Sequence, residues 1–394
     1  MKAEIPVAET KPLIPSPGGR RLEGVPGFVG SSPAALRVDE PAERVEQAVQ
    51  VGRDVQAEDV DVVTDVSDDG QLPRLEDRVE PSRDARATAP AREQDDLHAG
   101  TASSARVRGL DAILEPRELN VIGNVGDDVD ILGLHVSPDL DSLLYALGGL
   151  IDTERGWGRA DETWNALESA ASWGGDDWFR LGDRDLGLHL VRTEALRSAT
   201  LSEVTDALTL RAGVSARILP ATDDRLRTYV TTPAGRFAFQ EWFVGRRHAD
   251  EVDGVDYEGA ENALAAPGVV QSIVAADVIL FAPSNPYLSI GPILAVREIR
   301  EALERRQARC IAVSPLVGGA AVTGPAARML TRMAGGAEPR RVAACYNGLI
   351  DALVIDESDA PAEAEVDLVV TQTLMRDANA EKRLAEIVLE AACA

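Results

Sequence analysis

Two pairs of aspartates lie within fifteen residues near the middle of the chain, and their chemistry sets the first hypothesis. Asp127 and Asp128 follow an apolar run, residues 119–122, and Asp139 and Asp141 form a second pair. Carboxylates this close repel one another unless a cation or a hydrogen-bonding ligand offsets their charge. The alternative is two solvated acidic turns. We favour a ligand site because both pairs flank predicted strands and helices.

The elements around these aspartates place them at the mouth of a sheet. The run 119–122 predicts a buried strand, and open α/β sheets bind ligands at the carboxyl ends of their strands. An apolar helix is predicted over 142–150. Residues 100–110, small residues followed by Arg106, suit a loop that enters a helix N-terminus and binds an anion there. A short linker is an equally good interpretation of those residues.

The remaining pattern predicts an α/β fold with a doubly wound, mostly parallel, Rossmann-like sheet. Apolar strands that alternate with helices form at least three βαβ units. These strands are expected at 277–283, 309–314, 352–356 and 366–371, before a closing helix at 377–391. Between the strand at 119–122 and the strand at 277–283, residues 150–260 are interpreted as a helical and hairpin insertion that covers the ligand crevice. Its strands are expected at 216–219, 228–232 and 236–243.

Residues 1–97 differ in composition from the rest. Their only aromatic residue is Phe28, and they are rich in proline and charge. Such a segment buries too little apolar surface to offset its chain entropy, so we predict a low-order N-terminal extension. Residues 42–66 could form a short helix or strand. The folded domain is therefore predicted at 98–394.

Composition narrows the class of partner. The chain has 66 acidic against 40 basic residues, a formal net charge of -26, which argues against a nucleic-acid partner. A phosphorylated small ligand bridged by a metal ion remains compatible. The three cysteines and four histidines are too scattered for a zinc site, so a hard metal bound by oxygen is expected. No apolar run is long enough to cross a membrane and no secretory signal is recognised, so we expect a cytoplasmic protein.

Several motifs together resemble one family. They are GNVGDD at 123–128, PDLDSLLYALGGLID at 138–152, LGDRDL at 181–186, LPATDDR at 219–225, FQEWFV at 239–244, APSNP at 282–286 and SPLVGG at 314–319. In this order, from about Gly100 to the C-terminus, they resemble the 2-phospho-L-lactate transferases of coenzyme F420 biosynthesis, most of all the actinobacterial branch.

The resemblance implies a reaction. Family members transfer a phospholactyl, phosphoenolpyruvyl or phosphoglyceryl group from a guanosine-diphosphate-linked donor to the deazaflavin Fo. GMP leaves and Mg²⁺ is required. The family also implies a homodimer. Which three-carbon group is carried stays open.

The resemblance also implies site residues. Asp141 and Arg180 correspond to residues that contact Fo, and the NVGDD and PDLD motifs border the site. The SNP loop is expected to face the guanosine nucleotide. The substrate-binding set is therefore Asn124, Asp128, Asp139, Asp141, Arg180, Ser284 and Asn285. We further predict that Asp127 and Asp141 are catalytic, hold Mg²⁺, and include the acceptor of the ribityl hydroxyl proton.

Two other functions stay open at this stage. A non-catalytic regulator that binds nucleotide sugars would share the fold superfamily but is not expected to carry the GDRD motif. An inactive scaffold is the other, because residues 100–106 lack glycines that let backbone amides approach phosphates in the family. Three outcomes separate these functions. Fo binding with product formation indicates a transferase, Fo binding without product indicates an inactive scaffold, and nucleotide-sugar binding alone indicates a regulator.

Overall fold

Fourteen strands and eleven α-helices form the part of the chain that the computed structural model describes, residues 60–64, 102–153, 158–346 and 348–393. The strands are β1 (Val60–Thr64), β2 (Leu119–Gly123), β3 (Val129–Ile131), β4 (Leu134–Val136), β5 (Arg217–Pro220), β6 (Arg227–Thr232), β7 (Gly235–Ala238), β8 (Gly254–Glu258), β9 (Val278–Phe281), β10 (Arg309–Val313), β11 (Leu316–Val317), β12 (Ala320–Ala321), β13 (Ala352–Asp356) and β14 (Asp367–Thr371). The helices are α1 (Ala102–Asp111), α2 (Pro138–Leu147), α3 (Asn165–Ser172), α4 (Asp183–Ala195), α5 (Leu201–Arg211), α6 (Val269–Ala275), α7 (Gly291–Ala295), α8 (Arg297–Glu304), α9 (Ala326–Met329), α10 (Pro339–Cys345) and α11 (Ala378–Cys393).

Seven strands form one parallel sheet in the order β14-β13-β10-β9-β1-β2-β5. The chain runs outward from β1 in one direction through β2, and in the other direction from β9 through β14. The direction of winding therefore reverses between β1 and β9, which is where open α/β sheets form their ligand crevice. The predicted doubly wound α/β fold is confirmed.

Burial on both faces explains the composition of the central strands. Every residue of β2, β9 and β13 is buried. Strands covered on both faces read as continuous apolar runs, which is why these three were recognisable in the sequence. Helix α1 packs against α2 and α11, while α6 and α7 pack against α8.

Strand β1 corrects the predicted domain boundary. It lies between β2 and β9, with Val60 opposite Leu119 and Val278, although it falls inside the segment 1–97 predicted to be of low order. The folded part thus includes residues before His98. The strand lies within residues 42–66, where a short helix or strand was considered. The acidic residues within and beside it interrupt its apolar pattern. The other residues of 1–97 lie outside the described residues.

The predicted insertion, 150–260, is also interrupted. Strand β5 pairs in parallel with β2 and is the edge strand of the main sheet. The additional sheet is an antiparallel set in the order β7-β6-β8, of which β8 was missed. The strand predicted over 236–243 ends at Ala238, and Glu241–Gly245 is a π-helical turn. Phe239 and Trp242 are buried there, since a helical turn directs both aromatic rings into the same cluster.

Helix α2 begins earlier than its apolar pattern indicated. The predicted start was residue 142, whereas the helix starts at Pro138. Asp139 and Asp141 therefore occupy its first turn, where carboxylates are stabilised by the helix dipole and proline has no amide to leave unpaired. In the described part of the chain, no helix combines the length and the apolarity that crossing a membrane requires.

Candidate active site

Asn124 organises the loop that follows β2. Its amide oxygen accepts a hydrogen bond from the backbone N–H of Gly126 at 2.7 Å. Its amide nitrogen donates to Asp139 at 2.8 Å and to Asp127 at 3.3 Å. All of these groups are buried. One side chain therefore joins the two predicted acidic pairs at the carboxyl end of a central strand.

Asp127 receives a second amide donor. The side chain of Gln240 donates to its other oxygen at 3.2 Å. Both Asp127 oxygens thus accept from neutral amides, which stabilises the carboxylate without neutralising it. The loop is held tightly, because a Cβ added at Gly126 would lie 2.6 Å from the Thr228 hydroxyl and 2.9 Å from Pro292.

Asp128 and the β3–β4 hairpin form the next layer. One Asp128 oxygen lies 2.9 Å from Nε2 of His135, on β4. The other Asp128 oxygen is buried and has no hydrogen-bond partner among the described residues. A buried acceptor without a donor costs free energy, so it is suited to a cation or a ligand donor.

Asp141 forms a buried ion pair with Arg192 of α4. The guanidinium donates to both carboxylate oxygens, one of them at 2.9 Å. Burial acts to lower the pKa of Arg192, but the charge and hydrogen bonds of Asp141 outweigh it and raise the pKa above its usual value. The paired fork fixes the orientation of Asp141.

His189 lies against this pair. Its Nδ1 is 3.7 Å from Asp141 and 3.4 Å from Arg192, and its Nε2 is buried with no partner among the described residues. Burial, aided by the Arg192 charge and opposed by Asp141, lowers the pKa of His189 to about 4. The imidazole is therefore neutral at pH 7.

Tyr145 and Asp185 form a second link between α2 and α4. The buried Tyr145 hydroxyl donates a hydrogen bond to the Asp185 carboxylate. Burial, and next the charge of Asp141, raise the pKa of Asp185 to about 7, while the Tyr145 hydrogen bond acts to lower it. The start of α4 is capped by Glu162, which accepts from the backbone N–H groups of Arg184 and Asp185, each at 2.9 Å.

Helices α3 and α4 cap each other across the site. Asp183, at the start of α4, accepts from the backbone N–H groups of Asn165 at 3.2 Å and Ala166 at 2.9 Å. In return Glu162 caps α4. A Cβ at Gly182 would lie 2.3 Å from the Glu162 carboxylate, so only glycine lets Glu162 approach. The LGDRD motif therefore has a structural role, because it fixes the starts of two helices.

Arg180 lies beside this capped junction. Its guanidinium carbon is 4.5 Å from the centre of the Trp164 ring, a cation–π contact. The ring contacts the face of the guanidinium and so holds the side chain, whereas the N–H donors of Arg180 point along the plane of the guanidinium. Glu154, Arg155, Gly156 and Trp157 lie outside the described residues.

Ser284 and Asn285 follow β9 as predicted, beside the point where the winding reverses. The Asn285 amide oxygen accepts from the backbone N–H groups of Tyr287 and Leu288, and its nitrogen contacts the Met329 sulfur at 3.4 Å. The Asn285 side chain therefore builds the turn. Its predicted contact with a nucleotide, like that of buried Ser284, stays a prediction.

The predicted phosphate loop is described only in part. Residues 100 and 101 lie outside the described residues, and α1 starts at Ala102. Arg106 is completely buried, and none of its three side-chain nitrogens has a hydrogen-bond partner among the described residues. Burial lowers the pKa of Arg106 to about 9. An anion near α1 would offset this charge.

The carboxylates fit a hard cation only together with a substrate. Among the described residues, no three histidine, cysteine, aspartate or glutamate side chains are grouped to hold a metal ion. Mg²⁺ is usually held by one or two carboxylates, substrate phosphates and water. Asp127 and the unpartnered oxygen of Asp128 provide such a partial set. Asp141 has both oxygens on Arg192, so its predicted role as a metal ligand gains no support from its surroundings.

Sequence reasoning missed four polar residues of this site, which are His135, His189, Arg192 and Gln240. The one available signal was the spacing of His189 and Arg192. They are three residues apart and therefore share a face of α4, the buried one. Gln240 lies in the FQEWFV motif at 239–244, but nothing in that motif indicated its partner Asp127, which is 113 residues away in the sequence.

The chain matches known proteins over most of its described part. A model of the family described as 2-phospho-L-lactate transferase CofD matches residues 97–390. A phosphoenolpyruvate transferase of Kitasatospora aureofaciens is 44% identical over 306 residues, which cover 74% of this chain and 95% of that protein. One from Streptomyces griseus subsp. griseus is 42% identical over 308 residues, covering 75% and 97%.

A relative from a different genus and a solved structure add to this. The phosphoenolpyruvate transferase of Mycolicibacterium smegmatis is 41% identical over 288 residues, covering 70% of this chain and 88% of that protein. A crystal structure of a upf0052 family member from Bacillus halodurans superposes with a TM-score of 0.51 at 16% identity, covering 85% of this chain and 99% of that one. This last similarity shows the fold alone.

Proposed function

The chain belongs to the 2-phospho-L-lactate transferase (CofD) family, and from this premise we propose that it transfers a phosphoenolpyruvyl group from a guanosine-diphosphate-linked donor to Fo, with release of GMP. The phosphoenolpyruvyl group is favoured over the phospholactyl and phosphoglyceryl groups because the relatives at 41–44% identity are named phosphoenolpyruvate transferases. The observation that carries the proposal is the buried Asn124 network, which gathers carboxylates from a loop and a helix at the mouth of the sheet.

We place the donor diphosphate and Mg²⁺ at Asp127 and Asp128. Bound Mg²⁺ would neutralise the diphosphate and make its phosphorus a better electrophile. Asn124 and Gln240 hold Asp127 through amide donors, which orients a ligating carboxylate without taking its charge. A metal ion also explains how a chain with a net charge of -26 binds a polyanion.

We place Fo between α2 and the capped α3–α4 junction. Asp141 is fixed by Arg192, and the opposite charges of the two side chains balance each other inside the protein. We therefore assign Asp141 the role of orienting Fo by accepting its hydrogen bonds, and not the role of a metal ligand. Arg180, held over Trp164, is the cation on the other side. We expect Ser284, which follows β9, to face the guanosine nucleotide.

Transfer then requires little covalent work from the protein. The ribityl hydroxyl oxygen attacks the phosphorus that carries the three-carbon group, the bond to the GMP phosphate breaks, and the hydroxyl proton leaves to a base. Positioning of the two substrates and stabilisation of charge account for most of such catalysis. One of Asp127 and Asp141 was expected to be this base, but each has its two oxygens occupied by protein donors.

Purified protein incubated with Fo, Mg²⁺ and each of the three guanosine-linked donors, read by mass spectrometry, tests the proposal. We expect the phosphoenolpyruvyl adduct of Fo together with GMP, and no adduct when the metal is chelated. The variant Asp127→Asn should bind Fo but lose transfer. Binding of UDP-sugars without any adduct of Fo would instead show a regulator and contradict the proposal.

A further inference from the structure

Asp185 is a partly buried carboxylate that the fold does not need as a helix cap. Glu162 caps α4 and Asp183 caps α3, so the two neighbouring capping positions are already filled. One Asp185 oxygen accepts the hydroxyl of Tyr145. The residue is partly exposed, so a ligand can reach it.

The charges that face Asp185 come from two sides. From α2 it faces Asp141 and Tyr145, and from the segment before α3 it faces Arg159 and Glu162. Burial and the two like charges favour its protonated form, whereas the Tyr145 hydrogen bond and the Arg159 charge favour the carboxylate. A carboxylate balanced in this way changes protonation state near neutral pH, as a general base must.

Asp185 also lies next to the residue that the resemblance assigns to Fo. The charge of Asp141 acts on Asp185, and the tyrosine that binds Asp185 is one helical turn after Asp141 on α2. Both oxygens of Asp141 are already held by the Arg192 guanidinium. Of these two carboxylates, Asp185 is the one held by a neutral donor.

We propose that Asp185 is the catalytic base that removes the proton from the attacking hydroxyl of the acceptor. This inference rests on the proposed function and adds a residue to it. As the hydroxyl oxygen bonds to phosphorus and the bond to the GMP phosphate breaks, the proton passes to the Asp185 carboxylate. The proton is later returned to water, so the residue is regenerated. Tyr145 is a positioning residue that holds one carboxylate oxygen and leaves the other for the hydroxyl.

The test compares Asp185→Asn with the matched variant Asp183→Asn over pH 5 to 9, using Fo, Mg²⁺ and the donor that wild-type protein accepts. Wild-type kcat/KM should fall on the acid side as Asp185 becomes protonated. In Asp185→Asn, kcat should fall by roughly 10²–10⁴ fold and the acid limb should disappear. Fo binding, followed by its fluorescence, should change little, because asparagine still accepts the Tyr145 hydrogen bond. In Asp183→Asn the acid limb should stay, since hydrogen bonds from Thr163 and the α3 amides hold the pKa of Asp183 at about 2.

Two further variants keep the test decisive if Asp185→Asn folds poorly. Tyr145→Phe removes a hydrogen bond that lowers the pKa of Asp185, so the acid limb should move to higher pH. Asp185→Glu should keep an acid limb with reduced kcat. The inference is overturned if Asp185→Asn keeps wild-type kcat or the acid limb, or if Tyr145→Phe leaves the limb in place. If wild-type protein forms no adduct with any donor, the proposed function itself fails and takes this inference with it.

Discussion

At the scale of single residues, the site depends on groups whose charge is set by burial. The pair of Asp141 and Arg192 shows this best, because both side chains are nearly inaccessible and each satisfies the other. Such a pair adds little net stability compared with apolar residues, but removing one partner leaves a buried charge. Its value is the fixed direction of the carboxylate.

Substitution of Arg192 should therefore separate orientation from stability. Arg192→Lys keeps the charge but loses the two-pronged donor, so the KM for Fo should rise about tenfold or more while the KM for the donor stays the same. Arg192→Met leaves Asp141 unpaired and should cost about 3–5 kcal/mol of unfolding free energy. The double variant Asp141→Asn with Arg192→Met should recover part of that loss. Equal rises in both KM values for Arg192→Lys would contradict a role in acceptor orientation.

His189 makes a second residue-scale prediction, on stability against pH. Its pKa is about 4 in the folded protein and 6.5 in the unfolded chain, so the unfolded state binds more protons between these values. The contribution of His189 is complete above pH 6.5 and is lost as the pH falls toward 4, on the order of 3 kcal/mol in total. Asp185, whose pKa is raised, contributes with the opposite sign over a similar range.

Because the two effects oppose each other, the measurement compares wild-type protein with His189→Gln. Urea unfolding at several pH values should give a stability difference that increases from pH 4 to 6.5 and is constant above it. Parallel stability curves for the two proteins would show that the imidazole is not buried as described.

At the scale of elements, the reciprocal caps of α3 and α4 determine where Arg180 and Trp164 lie. Glu162→Ala removes the acceptor for two backbone N–H groups of α4. Loss of a cap of this kind costs about 1 kcal/mol, and the junction that holds the cation–π contact should loosen. We expect a small drop in melting temperature and a rise in the KM for Fo.

The chain offers a matched control for that prediction. Glu203 closes the capping box of α5 with Thr200. Glu203→Ala should lose a similar amount of stability but leave the KM for Fo unchanged. An unchanged KM in Glu162→Ala would mean that the junction does not position the acceptor site.

The elements also show what sequence alone could and could not predict. β2, β9, β10, β13 and β14 were predictable because strands of a covered parallel sheet are short apolar runs between turns. The start of α2 was not predictable, because Asp139 and Asp141 resemble turn residues in the sequence. In the structure Pro138 begins the helix, and both aspartates lie in its first turn. Asn124 and the aspartates were recognisable from their motif. The contacts of Arg192 and Gln240 were not, because their partners lie 51 and 113 residues away in the sequence.

At the scale of the whole molecule, the sheet depends on a strand that the composition did not favour. β1 is the meeting point of the two halves of the sheet, pairing with β2 on one side and β9 on the other. Without it, both neighbours lose a row of backbone hydrogen bonds in the interior, where unpaired amides and carbonyls are costly. The loops after β2 and β9, which carry Asn124 and Ser284, would lose their fixed separation.

Two N-terminal deletions test this dependence. A variant that lacks residues 1–53 keeps β1 and should unfold cooperatively, with a melting temperature and an Fo affinity close to those of the full chain. A variant that lacks residues 1–97, the predicted extension, loses β1 and should aggregate or show no cooperative transition, because strands with open edges in the middle of a sheet pair with other chains. Thermal unfolding followed by circular dichroism, with size-exclusion chromatography, distinguishes these outcomes. If the chain that starts at residue 98 melts and binds Fo as well as the full chain does, Val60–Thr64 is not a necessary part of the sheet, and the low-order assignment of residues 1–97 would hold after all.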